Sequence, residues 1–160
     1  SSEIMRLHPL TGGNTRRQFL FLLGMPLLCM HGQAQAQEQL LGFDSLYLSN
    51  TVLGLKFSTQ TLAAKGKNVR MRGYMAPPLK PESNFFVLTR DPVAICPFCS
   101  SDAEWPVDIV VIYAKKTVVP INFSERIEVQ GVLEVGSFID PVTGFLSQLR
   151  LRDAEFRKIR

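Results

Sequence analysis

Three observations in the 160-residue sequence predict a mainly β protein with minor helix. Apolar and polar residues alternate over Val69 to Met75 and over Ile127 to Val135, so one side of each stretch faces a core. Phe85-Phe86-Val87-Leu88 and Asp108 to Ala114 are short runs rich in β-branched and aromatic residues, bounded by proline and charge, as buried strands are. Asp140-Pro141-Val142-Thr143-Gly144 supplies turn chemistry between Ile127 to Val135 and Phe145 to Arg152, which read as a hairpin. Two strands carry mid-strand glycines, Gly73 and Gly131, where a sheet can bend sharply. Together these features predict an OB-like curled barrel of about five strands, with a β-sandwich or an open antiparallel sheet as the alternative.

The first stretch, 1–36, reads as an export signal. Arg16 and Arg17, followed by Gln18-Phe19-Leu20, precede an apolar run to Met30 and the small-residue sequence Ala34-Gln35-Ala36, which is the order of a cleavable leader. The paired arginines have the form of a twin-arginine address, as against the general secretion route. The apolar run is shorter than the ~20 residues a bilayer requires and contains Gly24 and Pro26, so no membrane span remains once the leader is removed. Leu28 before Cys29 is not the small residue of a lipidation site. A periplasmic location follows, in preference to a lipid-anchored or signal-anchored form.

Cleavage after Ala36 also changes the chemistry of the chain. His8, His31 and Cys29 leave with the leader, and so do three arginines and one glutamate, which lowers the net charge from +4 to +2. A near-neutral domain offers no electrostatic case for nucleic acid. Without histidine, Ser-His-Asp and Cys-His nucleophilic catalysis are excluded from the mature chain.

Residues 37–66 read as a linker and N-terminal elements, weakly patterned, with a helical turn at Thr61-Leu62-Ala63-Ala64 closed by Gly66. Residues 67–160 hold the strands. The first of them ends at Pro77-Pro78, which cannot donate to a ladder. The basic stretch from Arg150 to Arg160 reads as a solvated strand edge and end.

Gly66-Lys67, Val69, Gly73-Tyr74-Met75 and Pro77 form a G-K-x-V-x-x-x-G-Y-M-x-P opening, followed by an apolar strand and a cysteine-bearing loop. In these features the chain resembles a family of uncharacterised exported bacterial proteins, a domain of unknown function. The resemblance implies export, a compact β fold and a partnership with another envelope protein or a transporter component. It brings no activity. Many relatives carry a Cys-x-His motif where this chain has Cys96-Pro97-Phe98-Cys99, a departure that weakens the resemblance's case for a histidine-dependent metal role.

Cys96 and Cys99 are the two cysteines of the mature chain and its candidate site. In an oxidising compartment a disulfide is the default, and closing so short a loop contributes about 2 kcal/mol in the chain-entropy treatment. A thiol–disulfide exchange site would need one thiolate of depressed pKa, normally at a helix N-terminus, and 100–106 holds no more than a helical turn. Val119-Pro120 imitates the proline facing such sites, but the β-α-β alternation of thioredoxin-like folds is missing. Zinc would need two more donors, with Asp102 and Glu104 nearest in sequence; copper would need Met71 or Met75 beside the thiolates. Phe98 and Trp105 are candidates for an apolar lid or for ordinary core. The function this predicts is an exported envelope binding or accessory protein without a catalytic centre, with thiol redox and metal handling as alternatives.

Overall fold

The computed structural model describes residues 38–51, 54–78, 80, 83–95 and 105–160. Among them the elements run β1 (Gln39–Leu40), a 3-10 turn (Phe43–Ser45), β2 (Tyr47–Thr51), β3 (Gly54–Phe57) and α1 (Thr59–Ala64). Five longer strands follow: β4 (Asn68–Met75), β5 (Phe85–Thr89), β6 (Ile109–Ala114), β7 (Arg126–Ile139) and β8 (Leu146–Lys158). No helix among the described residues is long and apolar enough to cross a membrane.

The long strands pair in the order β4, β5, β6, β8, β7, and β7 returns to β4, so a mixed sheet of mainly antiparallel strands curls into a ring. The exception to antiparallel pairing within the ring is β6 with β8. Bending such a short sheet this far requires places where backbones can approach closely. Gly73 is one: a Cβ there would stand 2.4 Å from the carbonyl oxygen of Thr89. Gly131 is another, where a Cβ would stand 2.8 Å from the Arg152 carbonyl oxygen. Beside it the β7–β8 register shifts between Gln130 and Val132, and Asp153 takes a left-handed φ of 49°.

Inside the ring lie Met71 and Met75 of β4, Phe86 and Leu88 of β5, Ile112 of β6, Ile127 and Leu133 of β7, and Leu149 and Leu151 of β8. The segment before β4 adds Leu41, Phe43, Leu46 and Ala64 to the same cluster. It is held there by main-chain bonds, Leu41 N–H to Arg70 O at 2.8 Å and Gly66 N–H to Leu133 O at 2.8 Å. Ser58 caps α1 by accepting the Thr61 N–H at 3.0 Å, and Gly66, at φ 77°, turns the chain out of the helix toward β4.

Both β5 and β6 are buried along their whole length, so their outward side chains must be covered as well. Phe85, Val111 and Tyr113 are roofed by Trp105, Phe138 and Phe145, and Val87 and Ile109 by Val93, Trp105 and Phe145. The β7–β8 turn secures this roof. Asp140 accepts the N–H groups of Val142 and Thr143 at 2.9 and 2.8 Å, and the Tyr113 hydroxyl at 2.8 Å.

The sequence expectation for the basic stretch is corrected here. From Arg150 to Ala154 the chain is an interior strand of the ring, between β6 and β7, whereas Glu155 to Lys158 pair with β7 alone and are largely exposed, so the solvated edge begins only there. Arg150 is 7% exposed; it donates to Glu134 at 2.6 Å and to the Gly136 carbonyl at 2.8 Å, while its guanidinium lies 4.8 Å from the Phe138 ring centre.

Candidate functional site

Cys96, Phe98, Cys99, Asp102 and Glu104 lie outside the described residues, as do Arg16, Arg17, Ala34 and Ala36. The ground on either side of the cysteine segment is described. Thr89 and Ile109 form the last pair of the β5–β6 ladder, and the Arg90 N–H donates to the Asp108 carbonyl at 3.0 Å. The two described ends of the segment therefore stand side by side at one neck. On the return side Trp105 donates its indole N–H to the Tyr47 hydroxyl at 2.8 Å, and Tyr47 stacks on Phe57 with ring centres 5.4 Å apart. Burial, with a smaller contribution from the Asp108 charge, pushes the Tyr47 hydroxyl up to about 12. Trp105 packs against all three apolar clusters, and these are the contacts of a core residue.

Met71 and Met75 have no exposure, and the Met75 sulfur accepts the Ile121 N–H at 3.4 Å, so both thioethers are committed to the barrel interior. Val119 is 77% exposed on the β6–β7 connection. Among the described residues no group of three or more His, Cys, Asp or Glu side chains is placed to hold a metal ion.

A second location emerges from the pairing pattern. The β1 and β5 strands share one edge of β4: β1 pairs with Val69 and Arg70, and β5 with Tyr74 and Met75. Neither gives a ladder partner to Arg72. Main-chain groups alternate in direction along a strand. Because the Arg70 carbonyl accepts from Leu41 and the Ala76 N–H donates to Val87, the N–H and C=O of Arg72 point into this gap.

The gap opens as a cleft of about 260 Å³, walled by Leu41 and Phe43 and lined by Arg72, Arg90 and Arg126, with Asp44 at its side. Arg72 donates from Nε to Glu128 at 2.8 Å, and Arg90 donates from Nε to Asp91 at 3.0 Å with Asp44 at 3.8 Å. Arg126 is exposed and makes no ion pair among the described residues.

Behind the cleft, Glu128 is 4% exposed and serves several guanidinium groups at once. It accepts from Arg157 at 2.7 Å and Arg72 at 2.8 Å, with Arg70 at 3.9 Å. The hydrogen bonds from Arg157 and Arg72 hold its carboxyl below the ordinary range despite burial. Glu38 stands 3.8 Å from Arg70 as a second carboxylate, so two carboxylates face three guanidinium groups and this face stays cationic. Sequence reasoning missed the cleft because Arg72, Arg90 and Arg126 come from β4, the end of β5 and the start of β7. Its one local signal is Arg70 and Arg72 at strand period, on the polar side of β4.

No protein-family model matches the chain, and no curated protein matches it. Among solved structures, a DUF3299 family protein from Pseudomonas aeruginosa is similar in fold: TM-score 0.50, 14% identity, covering 77% of this chain and 97% of that one. That neighbour is consistent with the resemblance to a domain of unknown function drawn from the Gly66 to Pro77 opening, and its description names no activity.

Proposed function

We propose that this chain is an exported envelope binding or accessory module without a catalytic centre, working beside an envelope transport component in the periplasm. In this reading Cys96 and Cys99 are joined as a disulfide that staples the β5–β6 excursion, and no metal or cofactor is held there. The observation that carries it is the single neck at Arg90 and Asp108, together with the fixing of Trp105 on Tyr47. With both ends of the segment so fixed, a short internal bridge between Cys96 and Cys99 would restrain it locally without carrying the fold. The covered outer face of β5 and β6 supports the exclusion of nucleic acid. These are the second and third strands of the ring, which oligonucleotide-binding OB barrels use as a platform, and here they lie under Trp105, Phe138 and Phe145.

The test is the intact mass of the periplasmic protein after alkylation, with and without prior reduction, alongside metal analysis of the native sample. A fully oxidised pair that resists glutathione-level reductant is the expected result. An easily reduced pair would identify a thiol–disulfide redox protein instead, and two free thiols with stoichiometric zinc or copper a metal-handling one. Replacing Arg16 and Arg17 with lysine is expected to abolish export; continued export would point to the general secretion route.

A further inference from the structure

The seam between β1 and β5 brings together features that a structural role alone does not use. Arg126 has no counter-ion among the described residues, although it sits at the rim of a cleft already holding Arg72 and Arg90. Arg72 spends only Nε on Glu128, so its terminal nitrogens have no partner among the described residues, and its main-chain N–H points into the gap between β1 and β5. Arg90 is similarly engaged through Nε, and its further acidic neighbour Asp44 stands at 3.8 Å, beyond hydrogen-bonding distance. Glu128 cannot neutralise this group, because it is shared with Arg157 and Arg70.

Guanidinium forks that converge with a main-chain N–H match the paired oxygens of an oxyanion. The cleft, at about 260 Å³, falls below the ~300–1,000 Å³ typical of a full small-molecule pocket, so it suits a charged headgroup with a small body. The apolar wall of Leu41 and Phe43 would lower the local dielectric around those donors.

We propose that the seam cleft is an oxyanion-binding site, taking a carboxylate or phosphate group between Arg72, Arg90 and Arg126, with the Arg72 main-chain N–H as a further donor. The inference rests on the reading of the chain as a binding module and is independent of the state of Cys96 and Cys99. Asp44 occupies the position of a competing internal anion, exposed at the side of the cleft and near Arg90.

The test is a titration of the isotope-labelled full chain with inorganic phosphate and, separately, with succinate, at constant ionic strength. The backbone amides of Arg72 and Gly73 and the arginine Nε–H signals are followed by NMR. Saturable shifts confined to the cleft are expected. Arg126→Gln should weaken binding about tenfold, the loss of one charge-assisted bond, and Arg90→Gln should weaken it from the opposite wall. Asp44→Asn should tighten binding by about two- to threefold, as removal of an exposed competing charge does.

Saturation by phosphate alone would identify a phosphate ligand and saturation by succinate alone a carboxylate; saturation by both would support a general oxyanion site. Non-saturating shifts spread over all exposed arginines would overturn the proposal, as would an Arg126→Gln protein that binds like the parent. A failed titration removes the cleft alone, whereas a redox-active or metal-loaded cysteine pair removes the staple alone.

Discussion

Over β5 and β6 the outward side chains are Phe85, Val87, Ile109, Val111 and Tyr113, and the chain folds Val93, Trp105, Phe138 and Phe145 back over them. Over β4 and the start of β7 the outward side chains are Arg70, Arg72, Tyr74, Arg126 and Glu128, and among the described residues no apolar cluster roofs them. The difference follows from solvation. Apolar surface left in water costs about 25 cal/mol per Å², so a strand pair that is apolar on both sides recruits its own cover. Guanidinium groups stay solvated around Glu128 and Glu38, and the same barrel can leave that side open. The described ends of the cysteine segment, Arg90 and Trp105 to Asp108, adjoin the covered region and the arginine cleft lies in the open one, so the surroundings of the two candidate sites are held differently.

The covered region should be the easier to break. Phe85 is 3% exposed and meets Tyr113 and Phe145 edge-on at 5.4 and 5.5 Å. Phe85→Ala should therefore cost about 3–5 kcal/mol, measured by equilibrium urea unfolding. A loss under ~0.5 kcal/mol, the size of an ordinary surface change, would show that the roof does not seal this face.

The boundary between the regions comes next. Gly73→Ala places a methyl 2.4 Å from the Thr89 carbonyl oxygen, a backbone atom that moves only if β5 shifts away from β4. Overpacking of this kind costs about 1–3 kcal/mol. The same shift should widen the seam, so a drop in melting temperature together with altered Arg72 and Gly73 amide signals is the expected result. An unchanged melting temperature would mean that β5 yields to the added methyl without loss of packing.

On the open face Glu128 is the organising group, and Glu128→Gln should cost about 1–2 kcal/mol, since its partners Arg72 and Arg157 are substantially exposed and screened. The effect has a pH signature. The folded carboxyl is held below its ordinary value of about 4.5, so the unfolded chain binds the proton more readily in that window. The stabilisation is complete above about 4.5 and is lost as pH falls through the lowered folded value. Glu128→Gln should flatten the acid limb of the stability profile, leaving the slope contributed by Glu134 and Asp140, whose carboxyls are also held low. An acid limb identical to the parent's would assign that stability elsewhere.

How much of this is readable in the chain follows from how local each signal is. Val69 to Met75, Phe85 to Leu88 and the Asp140 to Gly144 turn announce themselves because period-two alternation, β-branched runs and turn residues act over a few neighbours. Gly73 and Gly131 are equally legible as bends. The segment before β4 is not. Leu41 and Leu46 fill the core although nothing around them alternates, because a two-residue parallel strand and a 3-10 turn impose almost no pattern. Arg150 looks like tail charge until β8 is seen lying between β6 and β7, where Glu134 neutralises it. Arg72, Arg90 and Arg126 converge through ring closure and share no motif, so the cleft exists only in three dimensions.

The smallest effect on folding is the one that separates recognition from architecture. Arg126 begins β7 with an exposed side chain and no ion pair among the described residues; what ties this position to the barrel is its main-chain carbonyl, which accepts the Ile159 N–H at 3.0 Å. Arg126→Gln leaves that bond in place and should change the unfolding free energy by no more than ~0.5 kcal/mol in urea titration. A larger loss would make Arg126 part of the scaffold, and the contrast between a face built for packing and a face kept for a ligand would fail at that residue.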